Sequence, residues 1–320
     1  MRRLTALAVL VVSAGALGLP AAPTAGPVPV PEVAVWSGSS SVVFGVAGSH
    51  GGIYAIRADG TGLHRLTAAG GGDGGLNVSP DGKTVLFGSG SSLFRIGTDG
   101  SGVHALGTGF NPVWSPDGKS IAFTRNDGVY LMKADGTAAH KLVTNRYTES
   151  SGAPTWSPDG KKIAYVACSA AYLSDPCEHQ TGFDVYVIRV DGSGKHKVTP
   201  QTGFPQCPAW SRVGKLAFLT SDNTVAVVQA GGGLRTFKPG GCPTWAPTGR
   251  RFAVATATGA ALMNADGSAR KAITILPASH TLFRTVAWSA DGTSLAAVGG
   301  ESPDHLYVVG TTGAGLKKLL

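Results

Sequence analysis

The stretch VWSPDGKSIAF, residues 113–123, returns almost unchanged as TWSPDGKKIAY at 155–165. An acid and a lysine two positions apart, used twice, read either as a chemical site or as one structural unit that the chain repeats. Turn chemistry favours the unit. In S-P-D-G the proline presets φ, the aspartate bonds nearby backbone, and the glycine takes φ > 0. The flanking SIAFTR alternates as a short strand, so the stretch is a hairpin.

Copies of this opening begin near Trp36, Val78, Trp114, Trp156, Trp210, Trp245 and Trp288, a mean step of about 42 residues. Each has a second half to match. IYAIRADGTGLHRLT at 53–67, LFRIGTDGSGVHAL at 93–106, VYLMKADGTAAHKL at 129–142 and VYVIRVDGSGKHKVT at 185–199 are clear. VAVVQAGGGLRTF at 225–237, ALMNADGSARKAI at 261–273 and LYVVGTTGAGLKKL at 306–319 are weaker. One unit reads as four strands: one ending at Trp114, SIAFTR, GVYLMKA with Tyr130 and Met132 opposite in face to Val129 and Leu131, and HKLV. Strands of about five residues cannot bury both faces alone, so the units must stack. Ala122, Ala164, Ala217, Ala253 and Ala296 share one position, where a small side chain lets neighbouring sheets approach. A helical solenoid of this period does not fit, because Gly and β-branched residues run through every copy. The fold class is therefore all-β, a β-propeller of seven four-stranded blades, or six if the unit at 36 fails to complete a sheet.

The termini and cysteines place the chain. Residues 1–25 carry Arg2 and Arg3, an apolar run Leu4–Leu19 and the small-residue stretch PAAPTA, the parts of a secretory signal peptide cleaved after Ala25. No Cys follows that run, so no lipid anchor is indicated, and no stable membrane span is expected once the signal is removed. The domain plan is signal 1–25, short linker 26–34 and propeller 35–320. The expected location is outside the cytoplasm: extracellular, periplasmic or cell-wall associated. Four cysteines in an exported chain predict two disulfides. Cys168 and Cys177 bracket one loop, while Cys207 and Cys242 hold one position of two successive units and could staple them. Cleavage leaves a net charge of about +6 from the +8 of the full chain, spread without runs, so nucleic acid is not an expected partner.

No nucleophile elbow, zinc-helix or phosphate-loop motif occurs, so neither an enzyme nor a cofactor or metal is expected. The abundant acids Asp81, Asp117, Asp159 and Asp291 hold one turn position, and Asp59, Asp99, Asp135, Asp191 and Asp266 another. His64, His104, His140 and His196 open the fourth strand of successive units. That register spreads them around a rim, too far apart to share a metal.

Loop lengths then divide the molecule. With strands alternating in direction, the 1–2 and 3–4 turns fall on one face and the 2–3 and 4–1 loops on the other. The first face is uniform. The second varies, and variable loops on a rigid frame are where binding residues sit. Candidates there are Arg125, Arg146, Tyr147, Glu149, Tyr172, Glu178, His179, Phe204, His280, Phe283 and Arg284. The insertion 167–184 is the strongest, since a Cys168–Cys177 bridge would lower the entropic cost of binding.

The pattern W-S-P-D-G-K-x-I-A-[FY], then [IV]-Y-x-[IM]-x-x-D-G-[ST]-G and a basic-Leu-Thr strand, resembles the WD-like propeller repeat of the TolB family. The resemblance implies a secreted or periplasmic propeller, here expected as a monomer, that binds a protein or cell-envelope glycan without chemistry of its own. Related repeats gate prolyl oligopeptidase-type enzymes and scaffold sugar lyases. The alternative expectation is therefore a lyase or hydrolase working at the channel, or an accessory subunit of an exported enzyme.

Overall fold

The computed structural model describes residues 31–36, 40–46, 51–68, 75–144, 153–168, 182–200, 205–238, 241–276, 282–300 and 304–320. They form seven four-stranded antiparallel sheets. Each sheet is built from consecutive strands, so the blades follow chain order: 31–67, 76–108, 110–144, 155–197, 206–237, 244–274 and 282–318. The unit at 36 does complete a sheet, with its inner strand running from Pro31 to Trp36 and pairing with Ser41–Val46.

The ring closes without exchange of strands. Inner strands of adjacent blades touch all the way round, the first against the last included. The packing explains how. Each blade has a bulky side and a small side, because side chains alternate across a strand. In blade 3, Tyr130 and Met132 pack with Leu86 and Leu93 of blade 2. On the other side, Val129, Leu131 and Ala122 meet Trp156, Ile163 and Tyr165 of blade 4. The same small-to-bulky contact recurs at Ala217 against Phe252 and at Ala253 against Trp288. At the seam, Ala296 and Val298 of blade 7 cluster with the core of blade 1. All five repeat alanines are buried. A large side chain fully withdrawn in such an interface contributes about 1.5–3 kcal/mol.

At four of the six tryptophans a hydrogen bond accompanies this packing, the indole nitrogens of Trp114 and Trp210 having no partner. The indole Nε1 donates to the carbonyl preceding the tryptophan position of the previous blade: Trp156 to Val113 at 3.2 Å, Trp245 to Ala209 at 2.9 Å and Trp288 to Thr244 at 2.9 Å. Trp36 makes the same bond to Ala287 at 3.1 Å, so the closing interface repeats the internal ones. Gly60 shows the seam again, since a Cβ there would lie 3.7 Å from Leu319, just past the last outer strand. Cys207 and Cys242 form a disulfide with their Cα atoms 5.4 Å apart, joining the inner strand of blade 5 to the segment just before that of blade 6, a staple of neighbouring units as expected. Cys168 is also disulfide-bonded. Its expected partner Cys177 lies outside the described residues.

Candidate functional site

On the uniform face the motif acids are occupied by their own turns. Ser115 Oγ donates to Asp117 Oδ1 at 2.6 Å, the Lys119 amide donates to the same oxygen at 3.1 Å, and the Ser120 amide donates to Ser115 Oγ at 2.9 Å. Asp81, Asp159 and Asp291 repeat this arrangement. Asp59 Oδ1 accepts from both the amide and hydroxyl of Thr61, at 2.9 and 2.7 Å, and Asp99, Asp135 and Asp266 do likewise. These hydrogen bonds, first among them the Ser or Thr hydroxyl, hold the carboxyls below the usual range for aspartate. A carboxylate stabilised in this way is a poor base or proton donor near neutrality.

The four repeat histidines are exposed on the outer strands. His64, His140 and His196 each place Nδ1 2.8–3.1 Å from the carbonyl two residues earlier. Among the described residues, no group of three or more His, Cys, Asp or Glu is placed to hold a metal ion.

A groove of about 600 Å³ opens between blades 3 and 4, on the uniform face and not on the variable one. Ser115, Asp117, Met132, His140, Trp156 and Asp159 line it. Its two carboxylates are those already engaged by their turns.

The variable face is different in kind. Arg125, a sequence candidate, is half-buried, with its guanidinium 4.4 Å from the Tyr130 ring centre and 5.3 Å from that of Phe123. Its Nε donates to the Thr108 carbonyl at 3.1 Å. Beside it, Tyr130 Oη donates to Asp127 at 2.9 Å, and Lys141 pairs with the same carboxylate. In blade 4, Asp184 is fully buried, with Lys197 Nζ 3.0 Å from Oδ2 and the Thr199 hydroxyl donating to Oδ1. In blade 7, exposed Arg284 pairs with Asp304 at 2.8 Å. Burial raises the Asp304 carboxyl, and Arg284 draws it partly back.

Three sequence candidates thus fall on described residues. Arg125 and Arg284 are accessible polar groups, whereas Phe283 is core: 6% exposed and edge-on to Tyr307. Arg146, Tyr147, Glu149, Tyr172, Glu178, His179, Phe204 and His280 lie outside the described residues. Asp127, Lys141, Asp184 and Asp304 were missed by motif reasoning. Asp184 did leave a signal, because its register position holds Gly52, Ser92 and Gly128 in the first three blades, and a charge there is out of pattern.

Comparison with known proteins adds the following. The TolB beta propeller domain family matches residues 35–213, more than half of the chain. A comparison with curated protein sequences finds no match. Among solved structures, TolB from Acinetobacter baumannii is similar at 18% identity with a TM-score of 0.54, over 73% of this chain and 63% of that one. An oligogalacturonate lyase from Vibrio parahaemolyticus is similar at 14% identity and TM-score 0.57, over 75% of each chain. A puromycin-hydrolyzing peptidase from Mycobacterium tuberculosis is similar at 18% identity and TM-score 0.64, over 88% of this chain but 53% of the peptidase. At these identities the likeness is one of fold.

Proposed function

The chain belongs to the TolB β-propeller domain family, and from that membership we propose that it is an exported, non-enzymatic binding module. It engages a protein or cell-envelope glycan through its variable loop face. One observation carries the reading. The three ion pairs among the described residues, Lys141–Asp127, Lys197–Asp184 and Arg284–Asp304, all stand at the variable-face ends of their blades. The acids of the opposite face are spent on turns. Two of these pairs, Lys141–Asp127 and Arg284–Asp304, reach the surface where the loops differ most, and charged groups at a surface contribute to its partner selectivity. The disulfide between blades 5 and 6 fits an oxidising compartment. A lyase or hydrolase at the channel, or an accessory subunit, rests on likeness of fold alone.

The test is capture of envelope components by the full mature protein, by a variant lacking 169–176, and by Arg125→Glu/Arg284→Glu. The reading expects both variants to lose the components that the wild type retains. Equal capture by all three proteins would remove the variable face as the recognition surface.

A further inference from the structure

Blade 5 breaks the repeat's turn chemistry twice on the uniform face. Its first turn is SRVGK at 211–215, where blades 2, 3 and 4 have SPDGK, and its second is QAGGG at 229–233, where blades 1 to 4 keep an Asp-Gly pair. The first turn still closes: Ser211 N donates to Lys215 O at 2.7 Å, Gly214 N to Ser211 O at 3.0 Å, and Lys215 N to Ser211 Oγ at 2.9 Å. The hairpin is one residue shorter than its counterparts, since the amide four residues after Ser211, rather than five, donates to the serine Oγ. Arg212 gives up the preset φ of proline, and Val213 stands 55% exposed where blades 2, 3 and 4 place an acid that accepts two hydrogen bonds. The shorter turn closes without proline or acid, and it leaves Arg212 and Val213 exposed where they are open to a use outside the fold.

Blade 6 extends the pattern. Its first turn, APTGR at 246–250, also lacks the acid. The two turns touch, since a Cβ at Gly249 would stand 2.9 Å from the backbone nitrogens of both Arg212 and Val213. Arg212, Lys215 and Arg250 are exposed in these adjoining turns, neither of which contains an acid, and the nearest acid along the chain contacts is Asp266, next to the Ala265 amide that donates to the Arg250 carbonyl. Lys83, Lys119 and Lys161, at the matching place in blades 2 to 4, each follow an aspartate by two residues. Arg251 is not part of the patch, because its guanidinium lies 5.8 Å over the Trp288 ring.

We propose that this patch binds a linear polyanion carrying carboxylates along a sugar backbone, an acidic polysaccharide. Guanidinium groups match carboxylates in fork geometry, which favours Arg212 and Arg250 as the anchors. Val213, at their centre, offers an apolar contact for the C–H face of a sugar ring. No exposed aromatic side chain among the described residues provides the stacking that single-stranded nucleic acid uses. Within the patch Val213 is the exposed large hydrophobic, and Leu63, Val103 and Leu316 stand singly in the second turns of other blades, so the patch itself offers little apolar surface for a bilayer. The site is on the opposite face from the proposed loop surface and stands independently of it.

The experiment measures binding of alginate, a polyuronate, to the full mature protein by calorimetry, with neutral dextran, single-stranded DNA and anionic phosphatidylglycerol vesicles as competing arms. Arg212→Glu/Lys215→Glu/Arg250→Glu is compared with Lys83→Glu/Lys119→Glu/Lys161→Glu, which changes net charge equally. The expected result is salt-sensitive alginate binding, weakened about tenfold or more in the first variant and far less in the second. Circular dichroism checks folding, and the milder Arg212→Gln/Lys215→Gln/Arg250→Gln variant should fall between. The proposal is overturned if the wild type ignores alginate, if both charge reversals weaken it equally, or if dextran, DNA or vesicles bind as well.

Discussion

The indole of Trp36 donates to the carbonyl of Ala287, 251 residues away, with the geometry that Trp156, Trp245 and Trp288 use between neighbours in sequence. Closure of the ring is therefore one more blade interface, and chain connectivity is not what holds the ends together. Here, among the described residues, the terminal blades meet through side-chain packing and this indole-to-carbonyl bond.

Trp36→Phe should then behave like Trp156→Phe. Each loses one indole hydrogen bond and part of a buried ring, and the thermal midpoint should fall by the equivalent of about 1–3 kcal/mol. Scanning calorimetry of both variants checks this. A far larger loss for Trp36→Phe would mean that the seam is weaker than the internal interfaces.

Replacing Cys207 and Cys242 by serine removes a link that spans 35 residues of sequence. Cross-links of that size restrict the unfolded chain, and the expected cost is about 2–4 kcal/mol. Urea midpoints of the wild type and the double variant, each with and without reductant, give the figure. Reductant should lower the wild type further than the variant, which retains only the bridge at Cys168.

The repeat turns predict a response to acid. Hydrogen bonds from Ser115, Ser157, Ser79 and Thr61 depress the carboxyls of Asp117, Asp159, Asp81 and Asp59. A depressed folded-state value means that stability is fully present above the unfolded value, about 3.9, and is lost as the pH falls through the folded one. Unfolding midpoints should be flat with respect to these groups at neutral pH and decline below about pH 4. Asp117→Asn/Asp159→Asn should flatten that decline, and an unchanged acid limb would contradict the assignment.

How much of this was legible in the sequence follows from which forces act locally. Period-two alternation and the S-P-D-G and D-G-[ST]-G turns are local, so blade count, strand order and the two sides of GVYLMKA could be read from the residues alone. The Cys207–Cys242 staple was readable because both residues share a register position. The ion pairs were not, since Asp184 and Lys197 meet only after two strands pair, and no spacing encodes that meeting. Phe283 was misplaced on the surface because its loop ends in an inner strand whose first residues already turn into the core. The turns at 211–215 and 246–250 depart from S-P-D-G-K one by one along the sequence. Only their contact across the blade boundary makes their missing acids one feature.

Asp184 and Lys197 provide the last prediction. The carboxylate is fully buried, its partner's side chain is 35% exposed, and the Thr199 hydroxyl completes the cage. Removing the cation leaves a buried charge with one hydroxyl for company, which costs more than the pair itself is worth. Lys197→Met should destabilise by about 2–4 kcal/mol, reduced from the cost of a fully buried pair because water reaches the lysine end. Adding Asp184→Asn removes the stranded charge while keeping an acceptor for Thr199, so the double variant should recover much of the loss. Chemical denaturation of both variants with the wild type completes the cycle. If the second substitution deepens the loss instead, Asp184 has a further role beyond its pairing with Lys197, and its place at the variable end of blade 4 makes that role one of shaping the recognition face.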